Sequence, residues 1–393
     1  MDLNTLSGLG GDWMEIEGVL RKMVGIESVF PNEGRMGSFL EDYLKEHGFE
    51  VRRQYISEGR FNLLAEKGKG KRPALFLAHM DTVPVASGWK TDPFSLIEKE
   101  GMLYGLGAYD MKGGIAAVLA AAESMRGSKV KLLLCADEEN ISKGAWAAVR
   151  KESAWLNDAS IIVSPEPPMN IGEKASGVTA VTVGRGGRSV ICVDVKGRAA
   201  HQGNRAAGVS AIKEAATIMA SIEKMQLRSE SRLGSDEVFV RAMHGESKGL
   251  SLPEAAHFEI DMRIVPPGTT EDGRTRVERF VKKLQESGEV DGRAEVVVSV
   301  KERETPFLQP YITDIRAPQV RKVLDIIRDG FGKPEIAYGS SVSDENVLAN
   351  ELDVPVIKIG PEGEGAHSAN ECVSKQSLDD LAELFSRIIE RFG

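Results

Sequence analysis

Acids and histidines stand at the ends of several short hydrophobic runs in this chain. In order they are His79 and Asp81 in LFLAHMDTVP, Asp110 in YGLGAYDMKGG and the pair Glu138-Glu139 in KLLLCADEEN. Glu166 in IIVSPEPP and His367 in GPEGEGAHSANE complete the set. The runs at 74–78, 130–135 and 161–163 read as buried parallel strands. In open α/β sheets, ligands sit outside the carboxyl ends of the strands. Ends that converge on one crevice would gather two histidines and four or five carboxylates. Imidazole and carboxylate together suit a hard-to-borderline divalent metal, zinc above all.

Charge supports a pair of ions. Two zinc ions bring four positive charges. Asp110, Glu139 and Glu166 supply three negative charges and a bridging hydroxide the fourth, with His79 and His367 as neutral ligands, one per metal. A zero sum lowers the cost of burying the centre. Metals that share a carboxylate and a hydroxide would sit roughly 3.5–4 Å apart. Asp81 lies two residues from His79, on the same side of an extended chain. It is expected to accept the other ring N–H of His79 and so fix its tautomer. Adjacent residues on an extended segment point opposite ways, so Glu138 and Glu139 are expected to differ in role. We assign Glu139 to the metal and Glu138 to proton transfer between the metal-bound water and the leaving amine. Spacing alone leaves the two interchangeable.

The elements that must position these residues follow from periodicity. Helices are expected at 12–24, 34–46 and 113–125 and near 143–151. Strands precede the KGKGKR turn and end at His79, Cys135 and Val163. Strands alternating with helices imply a parallel or mixed sheet with helices on both faces. The pattern changes near Gly184. A strand at 189–196, a helix at 208–225, strands at 237–244 and 256–263, a helix at 276–285 and a strand at 294–300 follow. That β-α-β-β-α-β order matches a ferredoxin-like α+β unit. The α/β pattern then resumes with a helix at 317–328, a strand at 354–359 and a helix at 377–391, and His367 lies in this part. The expected architecture is a discontinuous α/β catalytic domain, 1–184 and 303–393, with a lid domain, 185–302, inserted.

Composition narrows the function. A chain of 393 residues is too long for one compact core. A net charge of −9 argues against a nucleic-acid surface. The cysteines, Cys135, Cys192 and Cys372, are far apart, which implies no disulfide framework and fits a reducing compartment. The first twenty residues lack the basic stretch and apolar core of a secretory peptide. No apolar run reaches membrane-spanning length, so a cytoplasmic protein without membrane or nucleic-acid partners is expected. Glycines at 8, 10 and 11, and at 184, 186 and 187, lack the strand–helix context of a dinucleotide site. His244 and His257 read as packing or surface residues, Cys372 as a free buried thiol and Lys112 as a loop salt bridge.

HMDTVP, DMKGG, DEE, the Glu-Pro pair and the final AHS resemble the signatures of dinuclear-zinc peptidases and deacylases. That family includes acetylornithine deacetylase, succinyl-diaminopimelate desuccinylase, aminoacylase and glutamate carboxypeptidase. The resemblance runs from about Gly18 to Phe392. It implies that His79 and Glu166 hold one zinc, Glu139 and His367 the other, and that Asp110 bridges them. It further implies that Glu138 is the catalytic base and that the Asp110–Met111 peptide is cis. Glu166, and the segments GRAAHQGNRAAGVSAI and GPEGEGAHSANE, are most similar to the glutamate carboxypeptidase branch. The resemblance also implies that His201 reaches the partner subunit's site and donates to the oxyanion, and that Arg263 binds a substrate carboxylate, for which a guanidinium fork is suited. Two departures touch the substrate pocket. Leu106 replaces the family's arginine four residues before the bridging Asp, and Leu250-Ser251-Leu252-Pro253 replaces its Asn-Ile-Pro.

The expected protein is a zinc-dependent amidohydrolase that cobalt can also serve, homodimeric through the lid. It cleaves the amide of an N-acyl amino acid or small peptide with a free carboxylate. The narrower alternative is a biosynthetic acetylornithine deacetylase or succinyl-diaminopimelate desuccinylase. A non-catalytic metal-binding homologue would have no need of Glu138, and a metal-storage protein no need of an inserted lid.

Overall fold

The computed structural model describes residues 14–125, 127–168 and 177–393. The glycines at 8, 10 and 11, and the start of the helix expected from residue 12, lie outside these residues. Contacts divide the chain into two units. One comprises Met1–Gly184, Ile312–Gly339 and Ser343–Gly393, the other Arg185–Tyr311 and Ser340–Val342. Residues 303–311 thus stay with the second unit, past the 302 boundary read from the sequence, and there Arg188 N–H donates to the Leu308 carbonyl at 2.9 Å.

The first unit is built on a mixed sheet. Its strands run in the order Glu50–Ser57, Arg60–Lys67, Val130–Cys135, Ala74–His79, Ile161–Ser164, Val356–Lys358, Ala180–Arg185 and Tyr311–Ile312, and Glu335–Gly339 also pairs with Ala180–Arg185. Ala74–His79 lies parallel to both Val130–Cys135 and Ile161–Ser164, and Val356–Lys358 is parallel to the latter. Every residue of these four strands is buried. Hence their unbroken apolar runs, which show no alternation. Helix Gly113–Ser124 is alanine-rich and almost wholly buried. It packs with helix Lys375–Phe392, where Phe385 meets Phe76 edge-on at 4.9 Å between ring centres. Burying each large side chain of this kind is worth roughly 1.5–3 kcal/mol.

The exceptions are two buried lysines, Lys358 and, in Val130–Cys135, Lys131. The Lys131 ammonium donates to the Trp155 carbonyl at 2.9 Å and to Asp158 at 2.7 Å, so the charge is paired at the end of a buried stem.

The second unit is ferredoxin-like. Its antiparallel sheet runs Glu237–Gly245, Ala255–Ile264, Gly187–Lys196, Glu295–Val300. Helices Ala211–Ser221 and Thr270–Glu286 supply a separate apolar core with Val193, Phe258, Ile260 and Val277. Helix Thr270–Glu286 starts a turn and a half before the expected 276. Thr269 accepts from Asp272 N–H and Asp272 accepts from Thr269 N–H, a capping box that extends the helix beyond its apolar stripe.

Several short elements carry too little periodicity to be read in advance. They are strand Glu335–Gly339, helix Asp344–Glu351 and a small sheet of Ile97–Lys99, Met102–Tyr104, Gly363–Glu364 and Cys372–Ser374.

Candidate metal centre

Three neighbouring parallel strands deliver the first residues. His79 ends Ala74–His79, Glu138 and Glu139 follow Val130–Cys135 after two residues, and Glu166 follows Ile161–Ser164 after one. Asp110 sits in the Ala108–Lys112 turn that leads into helix Gly113–Ser124, and the Asp110–Met111 peptide is cis. His367 lies in the loop beyond Val356–Lys358, with φ of 62°. Two glycines grip the Glu166 segment. A Cβ on Gly114 would lie 2.2 Å from the Pro165 carbonyl oxygen, and one on Gly360 would lie 2.2 Å from that of Glu166.

The side chains of the first unit meet around Asp110. One of its oxygens lies 3.3 Å from His79 Nε2 and the other 3.3 Å from His367 Nε2. His367 Nε2 is also 3.2 Å from Glu139 Oε2. His79, Asp110 and Glu139 each offer a ligand atom within 4.8 Å of the others. Asp110 therefore faces one imidazole with each oxygen, the disposition of a bridging carboxylate. Glu166 is buried close by, and one of its oxygens lies 3.5 Å from the buried Lys358 ammonium.

Three expectations about these residues and their surroundings are corrected. The Asp81 carboxylate does not hold His79, because its nearer oxygen is 3.8 Å from Nδ1, beyond hydrogen-bonding reach. His79 Nδ1 instead lies 2.9 Å from the main-chain carbonyl of Asp81. The Asp81 side chain accepts the N–H groups of Glu138 and Glu139 at 3.3 and 3.0 Å. It thus shapes the turn that carries both acids. That stretch is a turn and not extended chain, so the argument from opposite-pointing neighbours does not apply to it. Lys112 is not a loop salt bridge either. It is buried, donates to the Ile26 carbonyl at 3.2 Å, and burial pulls its pKa down to about 7 against the opposing charge of Glu371.

Glu371, four residues beyond His367, is a buried carboxylate that the sequence reading missed. It accepts Gly107 N–H at 2.8 Å, Tyr109 N–H at 2.9 Å and Asp110 N–H at 2.8 Å. The loop that presents Asp110 is therefore folded around it. An acid directly before a predicted-buried cysteine was the available signal. Asp344, at the start of helix Asp344–Glu351, is a second missed acid, and burial pushes it up to about 8 despite Ser142 and His79.

The electrostatics are those of a site built for cations. Burial pushes Glu138 well above the usual carboxyl range, opposed by His79 and reinforced by Glu139 and Glu166. Burial likewise lifts Asp81 to about 7. Contacts with Asp110 and Glu139 raise His367 to about 10, and burial opposes them. Burial would lower His79, but Asp110 and Glu138 outweigh it and raise that imidazole. Burial works against the Asp110 charge too, yet the two imidazoles hold it below the usual carboxylate range. Glu139 Oε1 is buried with no hydrogen-bond partner among the described residues. A buried acceptor without a donor, beside imidazoles and carboxylates, fits a divalent metal.

His201 and Arg263 belong to the second unit. His201 is exposed, and its Nδ1 accepts from Gly203 N–H at 3.2 Å. The Arg263 guanidinium donates to the Leu233 and Ser235 carbonyls at 3.1 and 2.6 Å and to Glu237 at 2.8 Å.

A ligand set of this kind at the carboxyl edge of a mixed sheet, with a ferredoxin-like insertion, defines the class: a metal-dependent hydrolase acting on peptide or amide bonds. The chain belongs to peptidase family M20/M25/M40, whose profile it matches over residues 75–391. It is 26% identical over 377 residues to a succinyl-diaminopimelate desuccinylase of Sulfurimonas denitrificans, covering 94% of this chain and 97% of that one. To the enzyme of the same name from a Sulfurovum species it is 27% identical over 388 residues, covering 96% and 99%. Among solved structures, it superposes on the aminopeptidase PepT of Bacillus cereus with a TM-score of 0.78 at 20% identity, covering 96% and 98%. A Staphylococcus aureus tripeptidase gives 0.76 at 22% identity, with the same coverage. Among the described residues no helix is long and apolar enough to cross a membrane.

Proposed function

We propose that this hydrolase uses two zinc ions to cleave the amide of an N-acyl amino acid or small peptide that carries a free carboxylate. The observation that carries the reading is Asp110, with one oxygen 3.3 Å from each of two imidazoles. His79, Asp110, Glu139, Glu166 and His367 would hold the ions. When bound, zinc polarises the amide carbonyl and lowers the pKa of water towards ~7. Glu138 takes the proton of the attacking water on its carboxylate and returns it to the leaving nitrogen; burial, by raising its pKa, suits it to both steps. Asp81 keeps Glu138 and Glu139 in place through their N–H groups. His201 donates an N–H to the oxyanion in the partner subunit's site, and Arg263 takes the substrate carboxylate. The carboxylate of Glu237, largely exposed, already occupies Arg263, so binding there exchanges one carboxylate for another.

The homodimer would form through the second unit, whose edge strand Glu237–Gly245 leaves Phe239 59% exposed. The bridge-free cysteines fit the cytoplasm. The test mixes two inactive variants, His201→Ala and Glu138→Gln. Hybrid dimers that regain part of the activity support the reading; hybrids that form and stay inactive refute the action of His201 in the neighbouring subunit. Full turnover in demonstrably metal-free protein refutes the metal mechanism.

A narrower reading, succinyl-diaminopimelate desuccinylase, is favoured by relatives of that name that align over nearly the whole chain. A panel of succinylated, acetylated and peptide substrates separates the two: a strong preference for the succinyl compound selects the narrower one.

A further inference from the structure

The open face of the four-stranded sheet in the second unit carries a group of ligating side chains that the proposed chemistry does not use. Cys192 stands opposite Glu259 across the central strand pair, and Asp194 opposite His257. Cys192, His257 and Glu259 each offer a ligand atom within 4.8 Å of the others, and all three are partly exposed. His257 Nδ1 lies 2.9 Å from an Asp194 carboxylate oxygen. A proton on Nδ1, held by Asp194, leaves the lone pair of Nε2 free, and Nε2 is the nitrogen 3.9 Å from Glu259. A carboxylate behind an imidazole is the support that metal-binding histidines characteristically have. His244 sits opposite His257 in register on the next strand, on the same face. Two of the six histidines and one of the three cysteines in the chain are thus neighbours on one sheet face. A groove of about 1060 Å³, lined by Asp194, His244 and His257, opens beside them.

We infer that Cys192, His257 and Glu259, with Asp194 behind the imidazole, form a second metal site that takes one zinc-like divalent ion. Thiolate and imidazole select zinc or cobalt over magnesium and calcium, which require oxygen ligands. Three protein ligands leave a fourth position for water or for His244. Binding converts the Cys192 thiol to thiolate, and its proton goes to solvent. Glu259 now accepts from Lys301 at 2.7 and 2.9 Å. That lysine is substantially exposed, and an ion pair of this kind is weak, so its ammonium can yield to a divalent ion.

Cobalt(II) added to the metal-free full-length protein tests this directly, because the catalytic ligand set contains no sulfur. A thiolate-to-cobalt absorption band is expected in the near ultraviolet, and one equivalent of metal more than in Cys192→Ser. The band should survive Cys372→Ser and disappear in Cys192→Ser, whose turnover stays unchanged. Asp194→Asn should weaken cobalt binding at this site by ~10–100-fold. A wild-type protein without the band, or a band that persists in Cys192→Ser, overturns the inference. Should Cys192→Ser fail to fold, His257→Gln decides: a band of wild-type strength there overturns it equally. Failure here leaves the catalytic proposal untouched, since that one is read by turnover.

Discussion

Replacing Glu371 by glutamine probes how far the Asp110 loop depends on a single carboxylate. In the native protein one Glu371 oxygen accepts from Gly107 N–H and the other from both Tyr109 and Asp110 N–H, at 2.8–2.9 Å. The amide of the introduced glutamine has one carbonyl oxygen, which can keep the pair at Tyr109 and Asp110. Its NH2 group then confronts Gly107 N–H, donor against donor. A buried donor left unsatisfied costs about 1–3 kcal/mol. The two retained bonds also lose their charged acceptor, and charged hydrogen bonds are worth roughly twice neutral ones. We expect Glu371→Gln to lower the unfolding free energy by about 2–4 kcal/mol. Metal affinity should fall by ~10–100-fold, as is typical when the support of a ligand is removed. Denaturant unfolding with and without zinc measures both effects. Chemical denaturation and zinc affinity both unchanged in the variant would refute the role assigned to Glu371, whereas lost stability with native affinity would make it purely structural.

Glu138→Gln should retain both metals and lose ~10²–10⁴-fold in turnover, since the amide cannot take a proton; loss of metal, measured by elemental analysis, would make Glu138 a ligand. Asp81→Ala frees the N–H groups of Glu138 and Glu139, and zinc affinity or rate should drop by ~10–100-fold while the ligand count stays the same; unchanged values would make Asp81 a turn residue only. The hydrogen bond from Lys131 lowers the Asp158 pKa below its ordinary 3.8, and slight burial opposes it. A depressed carboxyl stabilises the fold above its unfolded pKa, and the gain disappears as pH falls through the folded value. The stability difference between wild type and Asp158→Asn should therefore be present at neutral pH, begin to fall only below about pH 4, and vanish once the pH has dropped past the lower folded value. Because Asp158 is half exposed, about 1 kcal/mol or less is expected. A difference that grows on acidification would contradict the pairing.

The parallel strands were legible because burial on both faces leaves unbroken apolar runs, and an acid or histidine just past such a run stands out. The second unit was legible because its strands alternate and its helices carry one apolar stripe. The support of the site was not. Spacing points to Asp81 as the partner of His79, but it is the main-chain carbonyl of Asp81, and not its carboxylate, that meets the ring. Glu371 leaves only a weak mark, an acid beside a buried cysteine, because its partners are N–H groups some 260 residues earlier, and backbone donors leave no trace in side-chain patterns. Helix Asp344–Glu351 is only eight residues long, and of its five buried residues two are charged, Asp344 and Glu345, so neither length nor amphipathicity marks it.

Strand Val356–Lys358 is wedged between Ile161–Ser164 and Ala180–Arg185, so the first sheet is completed by residues that follow the ferredoxin-like unit in the chain. On the ribosome, His79, Asp110, Glu139 and Glu166 all emerge before the ferredoxin-like unit, whereas His367 and Glu371 emerge after it. The insertion has an apolar core of its own, distinct from that of the first unit. Until residue 367 is made, the nascent chain thus carries all three proposed acidic ligands with neither the second imidazole nor the carboxylate that folds the Asp110 loop. A chain truncated anywhere before Val356 would lack both the strand that joins Ile161–Ser164 to Ala180–Arg185 and the proposed ligand His367.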